Sequence, residues 1–160
     1  MNCWVDNKVL ADIETEIDKW RPQETGGLLL GYWSNGEVVV TTSTASGPKA
    51  KHTFSSYTPD INFDRDRVAN IYEESSGVIS YLGDWHSHPK GGCCLSQQDV
   101  LTLFNISTYE PARAATPIML LAVRDRTEWK FAVWKNEIES TSKDKYISRL
   151  FPLEIIPFSR

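Results

Sequence analysis

Apolar residues at Val9, Leu10, Ile13, Ile17 and Trp20 recur at the spacing of one helical face, and Pro22 makes continuation costly, so an amphipathic helix is predicted to end before it. The pattern then shortens. Leu28 to Trp33 and Glu37 to Thr42 are apolar or β-branched runs flanking Ser34-Asn35-Gly36, and the Asn-Gly step favours the positive φ of a tight hairpin turn. Ile61, Val68 and Ile71 lie among charged residues between Asp60 and Ser75, which predicts a second helix closed by Gly77. From Val78 to Trp85 the residues are β-favouring and mostly apolar, as in a central strand. A third helix is predicted to start at Ser96 and run through Val100, Leu101, Leu103 and Phe104; a looser stretch with Pro111 and Pro117 follows. Strands are predicted over Ile118 to Val123 and Trp129 to Trp134, whereas Tyr146 to Phe158 is apolar but interrupted by Pro152 and Pro157 and is left open. The order is that of a mixed α/β fold with antiparallel hairpins.

A length of 160 residues suits one domain, 1–160, able to bury a core without disulfide support. Its 41% hydrophobic and 24% charged residues are those of a soluble globular protein. A formal charge of -4 argues against nucleic acid as a partner, because phosphate binding needs a surplus of Lys and Arg. No apolar run approaches the ~20 residues of a membrane span, and the N-terminus lacks a basic flank leading into an apolar stretch. Three cysteines, Cys3, Cys93 and Cys94, are an odd count with two adjacent, which suits a reducing compartment. A cytoplasmic protein with no membrane partner is expected.

His86-Ser87-His88-Pro89 is the first candidate for chemistry. On an extended segment, residues two apart face the same side, so His86 and His88 can present two imidazoles to one ion while Ser87 points away. The chain has only three histidines, and two of them fall in this pair. Taken alone, the pair reads equally well as surface or satisfied core histidines. Ser96-Gln97-Gln98-Asp99 by itself is a helix cap, Ser first and an acid in the first turn. A short loop folding back would nonetheless set Asp99 beside the imidazoles as a third ligand, leaving one position open on tetrahedral zinc, the pattern of a catalytic site. Glu24, in Arg21-Pro22-Gln23-Glu24-Thr25-Gly26-Gly27, is the candidate base for a bound water; the small residues after it permit close approach. Sequence distance alone does not bring Glu24 to the histidines.

Together, Glu24, His86-x-His88-Pro89 and Ser96-x-x-Asp99 resemble the signature of the JAMM metalloproteases, the JAB1/MPN/Mov34 group. The likeness extends through Glu-Thr-Gly-Gly and its Leu-rich strand to the Asp84-Trp85 approach to the histidines, over most of residues 9 to 135. It implies a JAB1/MPN-type fold with a mixed sheet flanked by helices, similar to the cytidine deaminases. It also implies one zinc ion held by His86, His88 and Asp99, Glu24 as proton shuttle, and Ser96 contacting the developing oxyanion. Relatives that serve as non-catalytic MPN scaffolds usually lose a metal position, and here every position is filled. A zinc deaminase would want His-x-Glu and Pro-Cys-x-x-Cys, and neither occurs.

The family's substrates are bonds after the flexible C-terminal tail of ubiquitin or ubiquitin-like proteins, for which a narrow cleft with an exposed strand edge is expected. The chain looks most similar to bacterial members. Among them, the type encoded with E1-like and E2-like enzymes in antiphage operons, which deconjugates the tail of a CD-NTase, is the preferred match; processing of a sulfur-carrier protein is the alternative. Cys93 and Cys94 are expected to line the groove rather than bind metal, and His52 to be a loop or rim residue. Lys49, Lys51 and Lys90 read as scattered solvated lysines. Trp33, Trp85 and Trp129 read as core or cleft wall.

Overall fold

In the computed structural model, which describes residues 1–160, the elements are β1 (Asn2–Asp6), α1 (Asn7–Trp20), β2 (Gly26–Ser34), β3 (Glu37–Ser43), β4 (Lys51–His52), β5 (Tyr57–Thr58) and α2 (Ile61–Glu74). There follow β6 (Ser80–His88), α3 (Gln97–Thr108), a 3-10 turn (Glu110–Ala112), β7 (Ile118–Asp125), β8 (Glu128–Ser142) and β9 (Lys145–Phe158). Seven strands close on themselves in the order β1-β3-β2-β6-β7-β8-β9, and β4 and β5 form a separate ribbon. Closure depends on β1, which runs parallel to both β3 (Cys3 opposite Val38) and β9 (Cys3 opposite Ile155). The sheet is mixed, as expected, but closed, which the linear pattern does not reveal.

All seven strands contribute to one core cluster with α1. Val9, Ile13 and Ile17 pack against Val5, Leu29, Val38, Leu82, Trp85, Leu120, Val133 and Leu153, among others. Each such aliphatic side chain removed from water contributes roughly 1.5–3 kcal/mol. On the opposite face, Met119, Leu121 and Val123 of β7 pack under Leu103 of α3. β7 is therefore buried on both sides. That double burial accounts for its unbroken apolar run.

The site face of β6 is set by a bulge. Leu29 pairs with Gly83 but Leu30 with Tyr81, so Leu82 is the extra residue, and Leu82 and Trp85 both reach the α1 side. Gly83 has φ 148°, and a Cβ there would lie 1.8 Å from the Ile118 carbonyl oxygen. Beyond the bulge, regular alternation carries Asp84, His86 and His88 to the face shared with α3.

The hairpin turn is as predicted, with Asn35 at φ 51° and Gly36 at φ 80°. Helix α2 is capped by the Asp60 side chain, which accepts from Phe63 N, and Gly77 donates to the Tyr72 carbonyl at its end. The open segment is a strand. Pro152 lies opposite Trp134 of β8 but beyond the β1 pairing, and Pro157 lies opposite Val5 of β1 but beyond the β8 pairing. Each proline thus has one side without a neighbouring strand, where a missing N–H breaks no ladder. No helix is long and apolar enough to cross a membrane.

Candidate metal centre

His86 and His88 leave the end of β6 on one face, and Ser87 turns the other way. Buried completely, the Ser87 Oγ accepts from Thr25 N at 3.0 Å, and Ser87 N donates to the Thr25 carbonyl at 2.9 Å. These bonds lash the start of β2 to the end of β6. Gly26 lies opposite His86 in the same ladder, and a Cβ on Gly27 would lie 2.0 Å from the Thr44 carbonyl oxygen. Small residues after Glu24 are required by backbone approach, as the sequence suggested. On its other flank Glu24 N donates to the Thr53 carbonyl at 2.8 Å, and its own carbonyl lies 3.0 Å from His52 Nδ1. His52 in turn stacks on Trp20 at 3.5 Å between ring centroids. His52 is thus a support for the Glu24 turn, a role that its place in the sequence did not disclose.

Asp99 arrives from the first turn of α3. The capping box is complete: Ser96 Oγ accepts from Asp99 N at 3.1 Å, and Ser96 N donates to Asp99 Oδ2 at 2.7 Å. Asp99 Oδ1 then lies 3.1 Å from His86 Nε2, and the two Nε2 atoms are 2.8 Å apart. The donor atoms of His86, His88 and Asp99 all fall within 4.8 Å of one another. Two ligands of a tetrahedral zinc ion stand about 3.3 Å apart, given zinc–nitrogen bonds of about 2.0–2.1 Å. The donor set, two imidazole nitrogens and a carboxylate oxygen, fits such an ion without added residues.

The electrostatics favour the protonation states in which such groups bind a metal. Burial opposes ionisation of Asp99, but the His86 ring and the Ser96 N–H outweigh it and hold the carboxyl at about 2. Burial and the neighbouring His86 lower the His88 pKa and favour neutral imidazole, the form that binds metal. Burial raises the Glu24 pKa, with His86 opposing and Asp99 reinforcing the shift.

Glu24, His86, His88, Ser96 and Asp99 all line one groove of about 1780 Å³, walled by α2 on one side and by α3 with the following turn on the other. A match to the family described as prokaryotic homologues of the JAB domain covers residues 6–135. The chain belongs to that family. Among curated proteins, this JAB-domain chain is 31% identical over 137 residues to the probable metalloprotease y4qB of Sinorhizobium fredii, covering 84% of each. It is 26% identical over 141 residues to the CD-NTase/cGAS isopeptidase of Escherichia coli, covering 84% of this chain and 86% of that one. Its fold is similar to the solution structure of protein DSY2949 from Desulfitobacterium hafniense, at TM-score 0.70 and 16% identity over 99% of this chain and 94% of that one.

The remaining candidates divide cleanly within the JAB-domain framework. Cys94 lines the groove as expected but Cys93, next to it, does not; both are exposed and neither thiol joins the donor cluster. Lys49, Lys51 and Lys90 are exposed and lie outside the groove wall. Trp85 is core, its Nε1 donating to the Thr44 carbonyl, and Trp129 packs against the core, but Trp33 is 39% exposed at the end of β2. Core placement fails for Trp33 because the burial of β2 stops at Gly31.

Proposed function

We propose that the chain is a zinc-dependent isopeptidase that hydrolyses the bond joining a flexible C-terminal tail to its target, and that it acts in the cytoplasm. The observation that carries this reading is the convergence of His86, His88 and Asp99 within 4.8 Å, in one groove with Glu24. Bound there, zinc would supply Lewis acidity, bringing the pKa of water toward about 7 and polarising the scissile carbonyl. Glu24 takes the proton of the attacking water and passes it to the leaving amine, base first and acid second. Its raised pKa suits both halves of that task. Ser96 Oγ accepts the Asp99 N–H as a cap, so its own proton is free to donate to the tetrahedral oxygen. Capping and oxyanion stabilisation use opposite ends of one hydroxyl.

The tail class is supported by two facts. The closed sheet offers no free edge, so the expected strand edge for an extended tail falls to the β4–β5 ribbon, whose Tyr57 and Thr58 line the groove. The relative named CD-NTase/cGAS isopeptidase supports a CD-NTase tail, conjugated by E1-like and E2-like partners, over other ubiquitin-like tails. Incubation of zinc-loaded protein with a CD-NTase conjugate, a ubiquitin-like fusion and a sulfur-carrier fusion tests the reading. Release of the first, abolished by chelation, is the expected result; a protein that binds all three and cleaves none is a scaffold.

A further inference from the structure

The turn that carries Glu24 is built around one imidazole ring. His52 of β4 stacks on Trp20, the last residue of α1, with 3.5 Å between ring centroids and 9° between the planes. Its partner across the ribbon, Tyr57, lies 5.4 Å away and packs on Gly26, where a Cβ would come within 2.7 Å of the Tyr57 ring. Gly26 in turn stands opposite His86. β2 begins only at Gly26, so the peptide of Glu24 has no ladder of its own. Both its polar groups go to the ribbon instead: Glu24 N donates to the Thr53 carbonyl at 2.8 Å, and the Glu24 carbonyl lies 3.0 Å from His52 Nδ1. A carbonyl oxygen only accepts, so Nδ1 carries the ring hydrogen; Nε2 is buried with no partner to receive one. The plane on which the ring lies is fixed as well. Trp20 Nε1 donates to Glu16 Oε1 at 2.9 Å and Ser46 Oγ donates to the same oxygen at 2.7 Å, with Glu16 only 8% exposed.

We infer that His52 is a positioning residue for the reaction: its Nδ1–H, set in place by the Trp20 stack, fixes the Glu24 peptide and so the approach of the Glu24 carboxyl to the His86, His88 and Asp99 cluster. The consequence for rate rests on the reading of Glu24 as proton shuttle; the hold on the backbone does not. A ring donor suits this post, because an imidazole lying flat against an indole has both of its side-chain torsions restrained, whereas a hydroxyl or ammonium donor would keep a free rotor. Placement matters to a proton shuttle, since a reacting group displaced by about 1 Å costs up to about 10²-fold in rate. A plain packing role for His52, fastening the ribbon to α1, would need the ring and not the donor. The two roles call on different atoms.

Two substitutions separate them. His52→Asn keeps a nitrogen donor where Nδ1 stands and loses the ring; His52→Phe keeps the ring on Trp20 and loses the donor. Kinetics are read on the zinc-loaded full chain with whichever of the CD-NTase conjugate and the two fusions the wild type cleaves, and melts and metal analysis establish that each variant is folded and loaded. In His52→Phe kcat should fall about 10–10²-fold with KM and zinc content held, and His52→Asn should recover most of that loss. The metal-free chain gives a readout apart from activity. There the imidazole nitrogen resonances that vanish in His52→Phe should report hydrogen on Nδ1, and the Glu24 amide should exchange about tenfold faster in His52→Phe while the amides of α1 and β7 keep their protection. Equal kcat in His52→Phe and wild type, an equal loss in both variants, or hydrogen on Nε2 overturns the inference. A wild-type chain that cleaves none of the three substrates defeats the hydrolase reading instead, and the nitrogen and exchange measurements still decide the hold on Glu24.

Discussion

Ser87 lies between two imidazoles yet faces the other way, and its bonds to Thr25 decide where Glu24 stands. Replacing it with alanine leaves the buried Thr25 N–H unpaired, at a cost of about 1–3 kcal/mol. Ser87→Ala should therefore lower the denaturation midpoint and reduce kcat while zinc content holds. Glu24→Gln separates the roles from the other side. Its volume and position are kept but its basicity is lost, so cleavage should fall by about 10²–10⁴-fold with stoichiometric zinc retained, as metal analysis and single-turnover assays would show. The sequence disclosed the identity of these residues but not their joining, because residues 24 and 86 meet only through the β2–β6 ladder. His52 was read only as a loop or rim residue for a related reason: nothing in the sequence sets it beneath Glu24.

At the scale of elements, the proposed function gives the start of α3 two duties on one turn. Ser96→Ala removes the cap and should cost about 1 kcal/mol of stability. It should also slow cleavage by more than that loss explains, which measurements of kcat well below the melting temperature would reveal. The other end of the helical inventory is Asp6, which caps α1 by accepting from Lys8 N and pairs with Arg160. The Lys8 N–H first, then Arg160, hold its carboxyl below the usual range. A lowered folded pKa gives stability that is present above the unfolded value near ~3.9 and is lost as pH falls through the folded one. The stability advantage of the wild-type chain over Asp6→Asn should accordingly be full near neutrality and shrink below about pH 4. The three helices and the β2–β3 hairpin were legible because each carries its own period, cap or turn. β9 was not, since the tolerance of Pro152 and Pro157 depends on which neighbouring strand ends where.

The whole molecule is a closed sheet around one face of α1, with the groove on the other face of β6. Closure was hidden in the sequence because β1 is five residues long and its partners lie at positions 38 and 155, linked by parallel pairing that leaves no turn signal. Deleting residues 1–5 would expose the edges of both β3 and β9, and the truncated chain should aggregate on expression. The clustering of His86, His88 and Asp99, by contrast, was legible from spacing and resemblance together, since a strand end and a helix cap are local features that a short loop brings into contact.

Zinc content tests the central claim most directly. Metal analysis of the purified wild-type chain should return about one zinc per chain, and the His86→Ala/His88→Ala variant, shown folded by its melt, should return almost none. A wild-type chain that takes up no zinc, or a double variant that keeps it, would contradict the assignment of this groove as a metal-dependent hydrolytic site.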